Sequence, residues 1–140
     1  MDLNAQWVVG FTDGEGCFHV GINSNKTMTL GFQVLPEFTI VQHEREIKLL
    51  HAFKDYFGCG VVRRNHGDRF CYRVRGHKNI RDKILPFFEK HQLKTLKRVN
   101  FQKFRQVVLL MEQKQHLNDE GLARIRRIQQ KMNNQSQLSK

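Results

Sequence analysis

The stretch Trp7–Phe18, WVVGFTDGEGCF, decides how the rest of the chain is read. An apolar segment at helical spacing runs into Asp13-Gly14-Glu15-Gly16, and the residues behind it alternate as a strand does. A turn needs a glycine or two and at most one acid. The second carboxylate therefore asks for a reason of its own. Asn4 is placed to cap the helix, which carries Val8, Val9 and Phe11 and ends at Gly14 or Gly16. Phe18, Val20 and Ile22 then oppose Cys17, His19 and Gly21, the pattern of a half-buried strand.

Further out, Asn23 to Thr27 is a polar turn, and Thr29 to Val34 alternates again with Gly31 and Gln33 on the polar side. Pro36 is expected to interrupt before Phe38 to Gln42 resumes as strand. Ile47, Leu50, Phe53 and Phe57 repeat at helical spacing, and Gly58 suits the cap that ends that helix. Val61–Asn65 and Arg69–Arg75 flank His66-Gly67-Asp68 as a hairpin. Its second strand sets Phe70, Tyr72 and Val74 against Arg69, Cys71, Arg73 and Arg75. Three helical segments follow. One starts near Asn79 and is kinked or closed by Pro86, one spans about 96–115, and the last is capped by Asn118 and runs over about 118–134.

The order α-ββ-α-ββ-α, then further helix, reads as an α+β fold, an antiparallel sheet backed by helices on one face. The 140 residues suit a single domain, 1–140, with one core. No apolar run approaches membrane-span length and no signal peptide opens the chain, so an intracellular protein with no membrane partner is expected. Cys17, Cys59 and Cys71 form no C-x-x-C pair and read as reduced thiols.

The net charge of +11 is concentrated. Val61 to Arg105 holds 14 Lys/Arg against 3 Asp/Glu, and the remaining residues balance to zero. A basic face of this kind points to nucleic acid, and an arginine-rich strand pair can lie in the DNA major groove. By strand parity, Gly31, Gln33, Arg63, Asn65, Arg69, Arg73 and Arg75 share the outward face. Asn23, Ser24, Asn25 and Lys26 form a polar tip able to reach outer bases or backbone. Arg64 has the opposite parity and is expected at phosphate or at an edge. No H-x-x-x-H pair or serine nucleophile signature is present.

WVVGFTDGEGCF resembles the signature of the LAGLIDADG homing endonucleases, and three later blocks extend the likeness: FTIVQHERE, LLHAFKDYFGCGVV and ILPFFEKHQLKTLKRVNF. The resemblance implies a saddle-shaped sheet and hydrolysis of long double-stranded DNA sites across the minor groove, leaving short 3′ overhangs. One signature implies a homodimer, matching the dyad of the duplex. Gly10 and Gly14 lie four apart on one helix face, where small residues let two backbones approach. Trp7, Gly10, Phe11 and Gly14 are thus the expected dimer interface.

Two such helices would bring both copies of Glu15 together. Carboxylates about 4 Å apart repel by roughly 4 kcal/mol at an effective dielectric of 20, and helix C-termini add free carbonyls. Two or more Mg²⁺ ions relieve that strain and can activate water on a phosphodiester. By the resemblance, Glu15 and the Gly14 carbonyl hold metal, Gln42 orients water, and Lys97, or else Lys94, stabilises phosphate charge. Asp13 is expected to end the helix or seal the interface. Arg45 falls one residue out of register with a basic position of some relatives. An RNA-binding intron maturase and a DNA-binding protein without cleavage are the alternatives on the same fold.

Overall fold

The first helix, α1 (Ala5–Glu15), begins where expected, because the Asn4 side chain accepts from the Trp7 amide at 2.9 Å. The computed structural model describes residues 1–132, so the last two residues of the helix expected over 118–134 lie outside the described residues. Behind α1 come β1 (Gly16–Ser24), β2 (Phe32–His43), α2 (Ile47–Phe57), β3 (Val61–His66) and β4 (Arg69–Arg75). The helices α3 (His77–Asn79), α4 (Leu85–Lys90), α5 (Lys97–Glu112) and α6 (Asp119–Lys131) complete the described chain. The four strands form one antiparallel sheet in the order β1-β2-β4-β3.

Period-2 patterning sends Phe18, Val20, Val34, Phe38, Ile40, Tyr72 and Val74 to the helix-backed face. There they meet Val8 and Val9 of α1, Leu50 and Phe53 of α2, Ile84 and Phe88, and Phe101, Phe104 and Val108 of α5. Phe18 is the hub, with ring centroids 5.1 Å from Phe38, 5.5 Å from Phe88 and 5.2 Å from Phe104. Burying each such ring contributes about 1.5–3 kcal/mol. Tyr72 is fully buried, and its hydroxyl donates to the Cys59 carbonyl at 2.9 Å.

Three sequence expectations change. β2 is one strand from Phe32 to His43, and Pro36 does not interrupt it. The Pro36 carbonyl accepts from the Gly76 amide, so the prolyl nitrogen also points toward β4. Glu37↔Arg75 ends that ladder, and no strand acceptor is left without its donor. Second, Thr29–Gly31 belongs to the β1–β2 connection and not to a strand. Third, Pro86 does not close the helix. A π-turn at Ile80–Ile84 precedes it, and the helix runs on to Lys90.

The Asn118 cap forms as expected, its side chain accepting from the Gly121 amide at 2.7 Å. α6 then closes the free edge of β1, where Gln129 Nε2 donates to the Val20 carbonyl at 2.8 Å. No described helix is long and apolar enough to cross a membrane.

Candidate active site and nucleic-acid interface

The four residues that end α1 each have a separate placement. Gly16 stops the helix, its amide donating to the Thr12 carbonyl. A Cβ there would stand 2.7 Å from Thr12 Cγ2, so any larger residue would have to displace Thr12. Glu15 and Gly14 are exposed at the helix end. Carbonyls of this last turn lack a partner further along the helix.

Asp13 turns the other way. Its carboxylate accepts from the Lys94 amide at 3.0 and 3.1 Å, from the Thr95 amide at 3.1 Å and from Thr95 Oγ1 at 2.8 Å. It therefore fastens the loop that launches α5 to the end of α1. Thr95 Oγ1 in turn accepts from the Lys97 amide at 3.2 Å, and Lys97 Nζ donates to the Gly16 carbonyl. Lys97 thus lies beside the α1–β1 junction, whereas the Lys94 side chain is exposed. Gln42 stands on β2 two residues beyond Ile40, the Cα partner of Gly16, and is half-buried opposite Phe70. Glu15, Gly14, Lys97 and Gln42 accordingly gather at one end of the sheet. Cys17, the next outward residue of β1, has its thiol pushed up by burial, with Lys97 opposing that shift.

The outer face of α1 is open. Trp7 is 43% exposed and stacks on Phe11 at 4.9 Å, and both rings lean on Phe53 of α2. Gly10 and Gly14 are exposed beside them, with nothing within 4 Å of where a Cβ would stand on either.

On the sheet's second face the strand register builds rows. His19, Glu37 and Arg75 form one, and Cys17, Thr39, Arg73 and Val61 the next. Val41, Cys71 and Arg63 follow, then His43 and Arg69, while Asn23 and Gln33 pair at the far end of β1. Arg63, Arg73 and Arg75 line a trough with Glu37, Thr39 and Asn65. Cys71 at its floor is 5% exposed under the arginines. Arg73 Nε is buried without a hydrogen-bond partner. Arg75 differs, since its Nε donates to Glu37.

Among the residues expected on the outward strand face, Gly31 is corrected. Gly31 sits in the connection at φ +79°, not on a strand face. In the polar tip, Asn25 Oδ1 accepts from the Thr27 amide at 3.0 Å and hydroxyl at 2.6 Å, an Asx turn that shapes the loop. Ser24 is exposed but opposes Phe32, on the other parity from Asn23; Lys26 is exposed in the loop. Asn65 falls at a bulge between Arg64 and His66 and still lines the trough beside Arg63 and Arg73, on the face expected of it. Arg64 braces the hairpin, donating to the Gly67 carbonyl at 2.6 Å and covering Phe70. Glu37 is the functional candidate the sequence reading missed, while Asp13, expected to end the helix or seal the interface, also holds the loop before α5. Each makes its contact with residues far along the chain.

Among the described residues no group of three or more His, Cys, Asp or Glu could hold a metal ion. What one chain offers at the α1 end is the Glu15 carboxylate with helix-end carbonyls, a hard oxygen set that suits Mg²⁺ or Ca²⁺ and is too small to enclose an ion alone.

The family described as LAGLIDADG endonuclease matches residues 8–108. A "Probable intron-encoded endonuclease 2" of Neurospora crassa is 30% identical over 120 residues, 85% of this chain and 25% of that protein. The chain spans about a quarter of the length of that protein and of two further curated relatives it matches. The crystal structure of a homing endonuclease, I-TnaI, is similar with a TM-score of 0.93 and 55% identity, covering 95% of this chain and 90% of that one. The structure of I-SmaMI bound to an uncleaved DNA target in the presence of calcium ions gives 0.90 and 32%, covering 93% and 45%.

Proposed function

The chain belongs to the LAGLIDADG endonuclease family, and from that premise we propose that it is a homing endonuclease which cleaves double-stranded DNA at a long site, as a homodimer that depends on Mg²⁺. The observation that carries the reading is the junction of α1 with β1, where Glu15 emerges beside Lys97 at one end of an arginine-lined sheet face. A glycine-bearing helix face leads to that junction with room for a second backbone. The half-length match to a DNA-bound chain supports one chain supplying half of a two-fold site.

Glu15 and the Gly14 carbonyl are the residues that would hold a divalent ion, with the partner copy and DNA phosphates completing its oxygen shell. Such an ion, when bound, supplies Lewis-acid polarisation of the phosphodiester and a water of lowered pKa. The chain's own groups do the remainder. Lys97 sets a fixed positive charge beside the reacting phosphate, Asp13 holds the loop from which Lys97 reaches, and Gln42 orients water by hydrogen bonding. Arg63, Arg69, Arg73 and Arg75, with Asn23 and Gln33, contact bases and backbone in the major groove.

The test uses a plasmid library of inverted repeats with randomised half-sites of about ten base pairs, one helical turn each. Linearisation of a narrow sequence set with Mg²⁺, lost in EDTA and in Glu15→Gln while binding persists, is the expected result. Equal cutting by Glu15→Gln would remove Glu15 from the chemistry. Selection of no duplex at all would remove the DNA reading.

A further inference from the structure

Among the described residues, Glu37 is the one carboxylate carried by the four strands, and it stands on the arginine-rich face. An acid in that position repels phosphate, so its presence needs a reason. Its partner is Arg75, its cross-strand neighbour, whose Nε donates to Glu37 Oε1. The two side chains differ in depth. Glu37 is 15% exposed and Arg75 44%, so the carboxylate lies beneath and the guanidinium stands forward. An ion pair whose guanidinium is this open to solvent contributes little to folding, which makes stability a weak account of this one.

The geometry points to Glu37 as a positioning residue that turns Arg75 into a guanine reader at a single base pair; this rests on the DNA-cleaving reading above. Holding the guanidinium by Nε leaves the N–H groups at its far end for an end-on fork, which can donate to guanine O6 and N7. Holding it also limits the rotamers of a long side chain, so less freedom is lost on contact. The carboxylate further cancels the charge of Arg75, and this arginine then adds selectivity with little general attraction to DNA. Arg73, one row away opposite Thr39, has no such acid and its Nε has no partner. Arg73 therefore keeps its full charge toward DNA, whereas that of Arg75 is offset by Glu37.

The half-site library above is selected for binding by the wild type, Glu37→Ala, Glu37→Gln and Arg75→Ala, each checked for an unchanged circular-dichroism spectrum. Glu37→Ala and Arg75→Ala are expected to lose a guanine preference of roughly tenfold or more at the same base pair, with other positions kept. Glu37→Gln keeps an acceptor for Nε and is expected to restore part of that preference. On unselected duplex, both Glu37 variants are expected to bind more tightly, with a salt dependence steeper by about one counterion. Retained guanine preference in Glu37→Ala, relaxation at a different base pair from Arg75→Ala, or an unchanged salt slope would each overturn the assignment of Glu37. A wild type that enriches no sequence would instead overturn the DNA reading on which it rests.

Discussion

Asp13 Oδ1 accepts from Thr95 Oγ1 at 2.8 Å, a bond between residues 82 positions apart that ties the end of α1 to the loop before α5. Two backbone amides, of Lys94 and Thr95, point at the same carboxylate. The negative end of one helix is thereby joined to the segment that places Lys97. A charge-assisted cluster of this kind does two jobs: it adds stability and it fixes where the lysine originates.

Asp13→Ala is therefore expected to lose hydrogen bonds from exposed donors that water can satisfy instead, at about 0.5–1.5 kcal/mol of stability. It is also expected to slow single-turnover cleavage by more than tenfold, because the Lys97 loop is released. DNA affinity should change little, since the sheet face is untouched. Thr95→Val, which keeps the amide contacts, should fall between the wild type and Asp13→Ala in both melting temperature and rate. A slow Asp13→Ala with full binding and nearly native melting would separate positioning from stability.

The outer face of α1 yields a test that folding cannot confuse. A Cβ at Gly10 meets nothing within 4 Å, and glycine is a poor helix former, so Gly10→Leu is expected to fold as well as the wild type or slightly better. In a dimer joined through this face, the same leucine wedges two helices apart. Sedimentation should then show a shift from dimer to monomer, with loss of double-strand cleavage. A Gly10→Leu protein that sediments as a normal dimer would locate the interface elsewhere.

What the sequence made legible was local. The Asn4 and Asn118 caps, the left-handed Gly58 that ends α2, and the strand parity of Arg69, Arg73 and Arg75 all follow from chemistry within a few residues. What escaped was set by distant partners. Pro36 is tolerated inside β2 because β4 pairs no further than Arg75, a fact about a strand 39 residues on. Asp13 finds Thr95, and Glu37 finds Arg75, only after the chain has folded. Asn25 carries a bond of the opposite kind, a local turn contact to Thr27 two residues on, because an asparagine in a polar loop can shape the turn with its own side chain. Glu15, Gly14 and Lys97 were legible as candidates through the resemblance, but their convergence at the α1–β1 junction needed the fold.

Arg73 should behave unlike a structural arginine. Its Nε is buried with no partner, so Arg73→Ala removes an unmatched donor and is expected to leave the melting temperature within a few degrees of native. Binding to the selected site should weaken by about 1–3 kcal/mol, with preference relaxed at one base pair. Fluorescence anisotropy across single-base variants reads both quantities. A uniform loss on every sequence, with the salt slope reduced by about one, would make Arg73 a phosphate contact instead.

Lys97 and Lys94 can be separated by the same substitution. Lys97 Nζ donates to the Gly16 carbonyl, next to Glu15, while Lys94 contributes its amide to Asp13 and leaves its side chain exposed. Removing one preorganised charge from a developing phosphate costs about 10²–10³ in rate. Lys97→Met is expected to lose that much in single-turnover cleavage at saturating DNA, with affinity within severalfold of native. Lys94→Met, which keeps the amide, is expected to stay within about threefold of the native rate, as for a solvated surface lysine. Lys97→Arg restores the charge with a different shape and should recover only part of the loss. If Lys94→Met proved the slow variant and Lys97→Met the fast one, the contact at Gly16 would be structural. The charge acting on phosphate would then come from the loop itself.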